Sequence, residues 1–176
     1  MTMSAFEFAS IDGYYAGPKG EIDFFKNSAK DTEFEAFTHK NAQQKSTLVF
    51  GRITYEMMAA FWPTDQAKQV DPVMYESMNN NPKVVFSKTL KQEDIKWKGV
   101  TVLKDLKHIP NSTIPGAGSI VQQLINKGML DEINLVVMPT ALGEGKSLFN
   151  GVNKNLKLIE SKSFKNGNVF LKYKTA

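Results

Sequence analysis

The 176-residue chain contains no cysteine, which excludes disulfides, thiolate metal ligands and thiol nucleophiles. Its two histidines, His39 and His108, lie far apart without ligand-spaced partners, so no metal is expected. No apolar run approaches the roughly 20 residues a membrane helix needs, and no membrane association is expected. The N-terminus, Met1 to Glu7, lacks the basic-then-apolar pattern of a signal peptide, and the cytoplasm is the expected compartment. Charge of neither sign dominates. The net charge is +4 and the pI about 9.1, a mild bias toward anionic ligands. The densest lysines (Lys88, Lys91, Lys96, Lys98, Lys104, Lys107) are scattered as on a solvated face. No RNA-recognition or helix-turn-helix signature accompanies them, so nucleic acid is not an expected partner. What is present is ordinary for a globular protein: 41% hydrophobic and 23% charged residues. No repeat or linker interrupts the chain, which reads as one domain over residues 1–176.

The most informative stretch runs from Ser112 to Met138. It reads as a strand (Ser112–Pro115), a small-residue turn (Gly116 to Ser119), a helix (Ile120–Lys127) and a second strand (Glu132–Met138). Ser119 is placed to cap the helix, and Gly128 to end it in a left-handed conformation. Ile133 to Met138 is largely apolar and β-branched, as a strand covered on both faces should be. Strand, helix and strand make a βαβ unit. Its turn exposes backbone N–H groups at a positive helix end, which suits a phosphate. Small residues also serve simply to turn a chain tightly, so both readings stand.

Two other strands end alike. Thr47–Phe50 runs directly into Gly51, Arg52, Ile53 and Thr54, the start of a helix reaching Phe61. Ile53, Met57 and Ala60 share one face of it at helical spacing, and Met57 and Met58 read as core. A cation at a helix N-terminus opposes the dipole, so Arg52 implies a local anion: a ligand phosphate or a nearby carboxylate. Thr54 can donate a hydroxyl to the same anion. Lys83–Phe86 ends in Ser87 and Lys88. Ligands of open α/β sheets bind at the carboxyl edge, and three anion-suited strand ends meet that rule.

The remaining elements are read more coarsely. Met3–Ser10 is a strand. After it comes a glycine- and proline-punctuated loop holding Asp12, Tyr14 and Tyr15, followed by Asp23, Phe24 and Phe25. Aromatics beside carboxylates suit a planar substrate, or else core and turn caps. A helix spans Asp31–Gln44, with Thr32 and Glu35 as a capping box or Ser28 and Asp31 as the start. Phe34 and Phe37 mark its buried side. Pro72–Asn79 is a short helix and Gly99–Leu103 a strand. Gly145-Lys146-Ser147 suggests a phosphate loop, but Thr140 stands where that motif needs glycine and no helix follows, so it is rejected. Leu156–Phe164 and Val169–Lys174 form a hairpin around Asn166-Gly167.

Five blocks stand in order along nearly the whole chain. They are Ser10-Ile11-Asp12-Gly13-Tyr14; Val49 to Glu56; Val84 to Lys88; Gly116 to Ser119; and Asp131 to Ile133, with Pro139, Gly143 and Gly145. Together they resemble the dihydrofolate-reductase-like superfamily, in its bacterial branch related to the riboflavin biosynthesis reductase (RibD C-terminal) domain. The resemblance implies a three-layer α/β/α fold with a mixed, mostly parallel sheet and a C-terminal antiparallel hairpin. It implies NADPH at the carboxyl edge and a homodimer. Gly51, Arg52 and Thr54 would meet cofactor phosphates, and Ser87 and Lys88 the adenosine 2′-phosphate. Gly116, Ala117, Gly118, Ser119 and Ile120 would hold the pyrophosphate. Asp12 would border the nicotinamide, and either Asp12 or a bound water would deliver a proton, with Tyr14, Asp23, Phe24 and Trp62 around the substrate. Two features depart from the family: the segment Lys104–Asn111 is short, and Pro115 directly precedes the turn. The expected activity is NADPH-dependent reduction of a small heterocyclic (pterin- or pyrimidine-like) or carbonyl substrate. The competing expectation is a degenerate relative that binds a ligand or partner without turnover.

Overall fold

Alternation along the first strand, β1 (Met3–Ser10), sends Met3, Ala5, Glu7 and Ala9 to one face and Phe6 and Phe8 to the other. Both faces are covered, as a central strand requires. The computed structural model describes residues 2–116 and 118–175, and for residues 26 and 27 the backbone alone. The chain continues through β2 (Tyr14–Ala16), a 3₁₀ turn (Asp23–Asn27), α1 (Thr32–Ala42), β3 (Thr47–Gly51) and α2 (Arg52–Phe61). Then come α3 (Asp65–Val70), α4 (Pro72–Asn80), β4 (Lys83–Phe86) and β5 (Val100–Leu103). The C-terminal part contains β6 (Ser112–Pro115), α5 (Gly118–Asn126), β7 (Glu132–Met138), β8 (Lys146–Ser147), β9 (Leu156–Ser163) and β10 (Val169–Thr175).

Eight strands form one sheet in the order β5-β4-β3-β6-β1-β7-β10-β9. From β5 to β7 neighbours run parallel, whereas β10 pairs antiparallel with both β7 and β9. One face carries α5. Its Ile120, Val121, Leu124 and Ile125 pack on Met3, Ala5, Val49, Ile114 and Ile133. Each such side chain removed from water contributes about 1.5–3 kcal/mol. On the opposite face, Leu48, Phe50 and Val85 meet Tyr55 of α2 and Met78 of α4. Farther along that face, Phe34 and Phe37 of α1 join Phe6, Phe8, Phe164 and Phe170. The result is the three-layer arrangement the sequence implied, with an antiparallel hairpin at its C-terminal end. Gly167 at the hairpin tip has φ +86°, as the Asn-Gly signal requires.

Four local expectations change. Asp31 caps α1 by accepting from the backbone N–H groups of Glu33 and Phe34, so the helix starts one residue beyond that cap. Ser119 lies inside α5, which begins at Gly118, and so does not cap it. A helix missed in sequence, α3, is capped by Thr64, whose hydroxyl accepts from Ala67 N–H. Finally, the Ile53–Met57–Ala60 stripe of α2 faces solvent, with Ile53 69% and Met57 43% exposed. The helix buries Tyr55 and packs Met58, Ala59 and Trp62 instead. Both stripes are apolar at helical spacing, so periodicity alone cannot choose between them. Segment 104–111 carries no helix, and Lys146–Ser147 is a strand, consistent with rejecting a phosphate loop there. Among the described residues, no helix is long and apolar enough to cross a membrane.

Candidate active site

Strand β6 is inserted between β3 and β1, so the chain reverses direction across the sheet there. At such a switch point the segments leaving adjacent strands diverge and open a crevice at the carboxyl edge. Two helices begin on its rim. The first, α2, follows β3 without a gap, and α5 follows the turn after β6. A Cβ on Gly51 would lie 2.9 Å from Cγ1 of Ile120, so a glycine is what lets the two helix starts approach. The Thr54 hydroxyl donates to the Gly116 carbonyl at 3.2 Å and ties α2 to the turn. Gly116 has φ +66°, a conformation costly for other residues. The donor-rich ends of two helices thus face one crevice, an arrangement suited to the negative charges of a dinucleotide.

The predicted cofactor contacts fall into three groups. Gly51, Arg52, Thr54, Gly116, Gly118, Ser119 and Ile120 converge at the β3 and β6 ends. Ala117 lies outside the described residues. Ser87 and Lys88 lie at the end of β4, one strand beyond β3. From β4 to β1 the row crosses three strand steps, about 14 Å. The buried Ser87 hydroxyl accepts from the N–H groups of Thr89 and Leu90 and shapes that turn. Lys88 is exposed and makes no ion pair with any described residue. Arg52 pairs with Glu56 at 2.9 Å, one helical turn on, with both side chains about half exposed. The anion that its position implied is therefore, in this structure, a protein carboxylate. An exposed i,i+4 pair is worth only a few tenths of a kcal/mol, about 0.3–0.5, so Arg52 can exchange it for a stronger anion.

Asp12 has a different role from proton delivery. Its carboxylate accepts from the Ser10 hydroxyl (2.5 Å) and from the N–H groups of Leu142 (3.1 Å) and Gly143 (2.7 Å). These bonds, Ser10 foremost, lower its pKa to about 2. A carboxylate so well served stays ionised near neutrality and has no proton to give. It pins the loop after β7 to the end of β1. That loop returns as β8, which pairs with β2, while Gln122 of α5 donates to the carbonyls of Ser147 and Leu148. A Cβ on Gly145 would collide with the Ala16 carbonyl, so this small sheet admits only glycine there.

Of the substrate-side residues, Tyr14 is half-buried in β2 and Asp23, itself exposed, opens the 3₁₀ turn. Phe24 is core: it is buried and its ring centre lies 4.4 Å from that of Phe25, tilted at 45°, within the cluster around Val136 and Met138. Trp62 lies beyond the far end of α2, about 15 Å along the helix from the crevice. Its indole N–H is directed at Met58 Sδ (3.2 Å), and Asn79 donates to its carbonyl. Phe24 and Trp62 are therefore not crevice walls. The residues that sequence reasoning missed are Glu7 and the full role of Tyr15. Glu7 is fully buried on central β1. The Tyr15 ring lies so close over Gly118 that a Cβ there would overlap it. Burial, and then the charge of Glu7, push the Tyr15 pKa up. A carboxylate amid the apolar residues of Met3–Ser10 was the available signal for Glu7; nothing local marks Tyr15 apart from Tyr14.

Comparison with known proteins agrees with this fold. The RibD C-terminal domain matches residues 2–170. A relative from Bacillus subtilis (strain 168), the uncharacterized protein YyaP, is 28% identical over 175 residues, covering 93% of this chain and 89% of the relative. A Shewanella sp. PV-4 protein provisionally assigned to riboflavin biosynthesis superposes with TM-score 0.75 at 22% identity, over 100% of this chain and 99% of that one. A pyrimidine reductase-like protein from Corynebacterium diphtheriae gives TM-score 0.61 at 14% identity, over 99% and 92%. RibD from Acinetobacter baumannii gives 0.64 at 13%, over 99% of this chain and 58% of its own length. The two departures noted in sequence, the short 104–111 segment and Pro115, are accommodated without loss of that architecture. The chain belongs to the RibD C-terminal domain family and has its dihydrofolate-reductase-like fold.

Proposed function

We propose that the protein is an NADPH-dependent reductase of a small heterocyclic (pterin- or pyrimidine-like) or carbonyl substrate, acting in the cytoplasm as a homodimer. The observation that carries this reading is the meeting of two helix starts, at Gly51 and Gly118, in the β3–β6–β1 crevice of a reductase-family fold. The donor set fits an anionic dinucleotide: backbone N–H groups at the turn, Arg52 beside it, and Lys88 about 10 Å away across two strand steps. Bound there, NADPH would supply the hydride. The chain's contribution is to bind and orient. The α5 start would face the pyrophosphate, Lys88 the 2′-phosphate, and Tyr14 with Asp23 the substrate end. Asp12 holds the 139–145 loop against β1 and takes no part in proton transfer.

The second reading, a degenerate relative that binds without turnover, is favoured by one observation. Tyr15 lies against Gly118, on the turn a pyrophosphate would approach. Titration with NADPH and NADH, followed by nicotinamide fluorescence, separates the two. A reductase binds, with preference for NADPH, and Lys88→Ala weakens NADPH by roughly fivefold to tenfold while sparing NADH. Equal losses for both cofactors would remove Lys88 from the 2′-phosphate, and a folded protein that binds neither would sink the reductase reading.

A further inference from the structure

The face of the sheet that α1 covers is divided along its strands. Toward the carboxyl edge it presents Phe6, Phe8, Val136 and Phe170, on which Phe34 and Phe37 of α1 pack. Toward the amino edge the same alternation presents Ser4, Glu132, Asn134 and Lys172. A sheet face under a helix is normally apolar. Asn134 interrupts the largely apolar run from Ile133 to Met138, and asparagine is disfavoured in strands. A natural sequence breaks such local rules chiefly where function requires it.

The end of α1 and the chain leaving it border a cavity of about 220 Å³ on this polar half. All twelve residues that line it carry polar side chains. It therefore offers no wall for an aromatic or aliphatic ligand body, and it is smaller than the roughly 300–1,000 Å³ of sites for drug-sized molecules. Asn41, Asn111 and Asn134 each donate Nδ2 to a backbone carbonyl, of Phe37 (2.8 Å), Lys45 (3.3 Å) and Ala5 (3.2 Å). Three carboxamide oxygens that accept from no described side chain are left, and they suit hydroxyl donors. Lys172 pairs with Glu132 at 2.9 Å, whereas Lys45 makes no ion pair with any described residue. Along the same face, Lys174 lies opposite Glu132, Lys157 opposite Lys174 and Glu160 opposite Lys172. Four lysines thus stand against two glutamates, and the excess positive charge favours an anion. We propose that this amino-edge cavity is a second binding site, for a small polyhydroxylated molecule with one anionic group, a carboxylate or a phosphate. Lys45 and Lys172 would hold the anion, and the carboxamide oxygens of Asn41, Asn111 and Asn134 the hydroxyls. The site lies at the opposite edge of the sheet from the β3–β6–β1 crevice and is independent of the cofactor reading.

The probes are gluconate and glucose 6-phosphate, with glucose as the neutral comparison, each titrated into the isotope-labelled protein and followed by magnetic resonance. The side-chain amide signals of Asn41, Asn111 and Asn134, and the backbone signals of Gln44 to Ser46, are expected to shift and saturate with an anionic probe. Which probe binds more tightly tells a carboxylate from a phosphate. Lys45 is exposed, so Lys45→Ala should fold as wild type and weaken that binding about fivefold. Asn134→Val, which restores a continuous apolar run, should abolish saturation without lowering the denaturation midpoint. If that variant does not fold, Lys45→Ala and the glucose comparison carry the test. Shifts that never saturate, shifts away from the cavity, or unchanged affinity in Lys45→Ala would overturn the inference. Glucose bound as tightly as the anionic probes would overturn the assignment of an anionic ligand.

Discussion

Single residues here are explained by what their charged or polar atoms touch. Asp12 accepts from Ser10, Leu142 and Gly143, and its pKa is about 2, below the ordinary 3.8. A depressed carboxyl pKa stabilises the fold above its ordinary value, and that contribution disappears as pH falls through the folded one. The stability gap between wild type and Asp12→Asn should therefore be constant near neutrality and close between about pH 4 and 2, as followed by chemical denaturation. A gap that persists at pH 2 would mean that the carboxylate charge is not what holds the loop. Lys83 behaves oppositely. It is fully buried at the start of β4, where its ammonium donates to the carbonyls of Asn79, Asn81 and Lys98 and lies 4.6 Å from the Trp97 ring centre. Those acceptors favour the charged form, but burial outweighs them and lowers the pKa from 10.5 to about 8. Between these values the unfolded chain keeps the proton that the folded chain has lost. Stability relative to Lys83→Met should thus rise with pH over that window. A flat or falling difference would contradict the account.

At the level of elements, the strands were the most legible part of the sequence. The runs Met3–Ser10, Lys83–Phe86, Ser112–Pro115 and Glu132–Met138 are strands with those bounds, because period-two alternation and continuous apolar runs have few other solutions. Helix faces were less legible. Tyr55, Met58 and Trp62 make one apolar stripe on α2, and Ile53, Met57 and Ala60 make another. Only tertiary packing decides which is buried. Ile53→Ser should accordingly change stability by no more than about 0.5 kcal/mol, whereas a core position would lose several times that. Close approaches were not legible at all. Gly51, Gly118 and Gly145 are glycines because Ile120, Tyr15 and the Ala16 carbonyl occupy the space a side chain would need, and those neighbours come from elsewhere in the chain. Gly145→Ala, at φ +154° and against a backbone atom, should destabilise by about 1–3 kcal/mol, read as a lower denaturation midpoint. Wild-type stability in that variant would mean that β2 and β8 do not pair as described.

For the molecule as a whole, the order of strands creates the site. Inserting β6 between β3 and β1 brings the ends of three parallel strands together, and two helices start where those strands stop. The sequence showed the three anion-suited ends separately. Their adjacency follows from topology, which one-dimensional patterns do not encode, and the family resemblance supplied it. The same limit explains the site residues that moved. Phe24 and Trp62 are aromatic and near the right segments in sequence, yet one lies in the phenylalanine core and the other beyond the far end of α2. The central claim is that the carboxyl edge around β6 holds a dinucleotide. It is tested most directly by recording backbone amide chemical shifts of the labelled protein during addition of NADPH. The account predicts the largest shifts at Gly116 and Gly118 to Ile120, at Gly51 to Thr54, and at Ser87 and Lys88, with Trp62 and Asn79 unmoved. Shifts confined to other surfaces, or none at saturating NADPH, would contradict it.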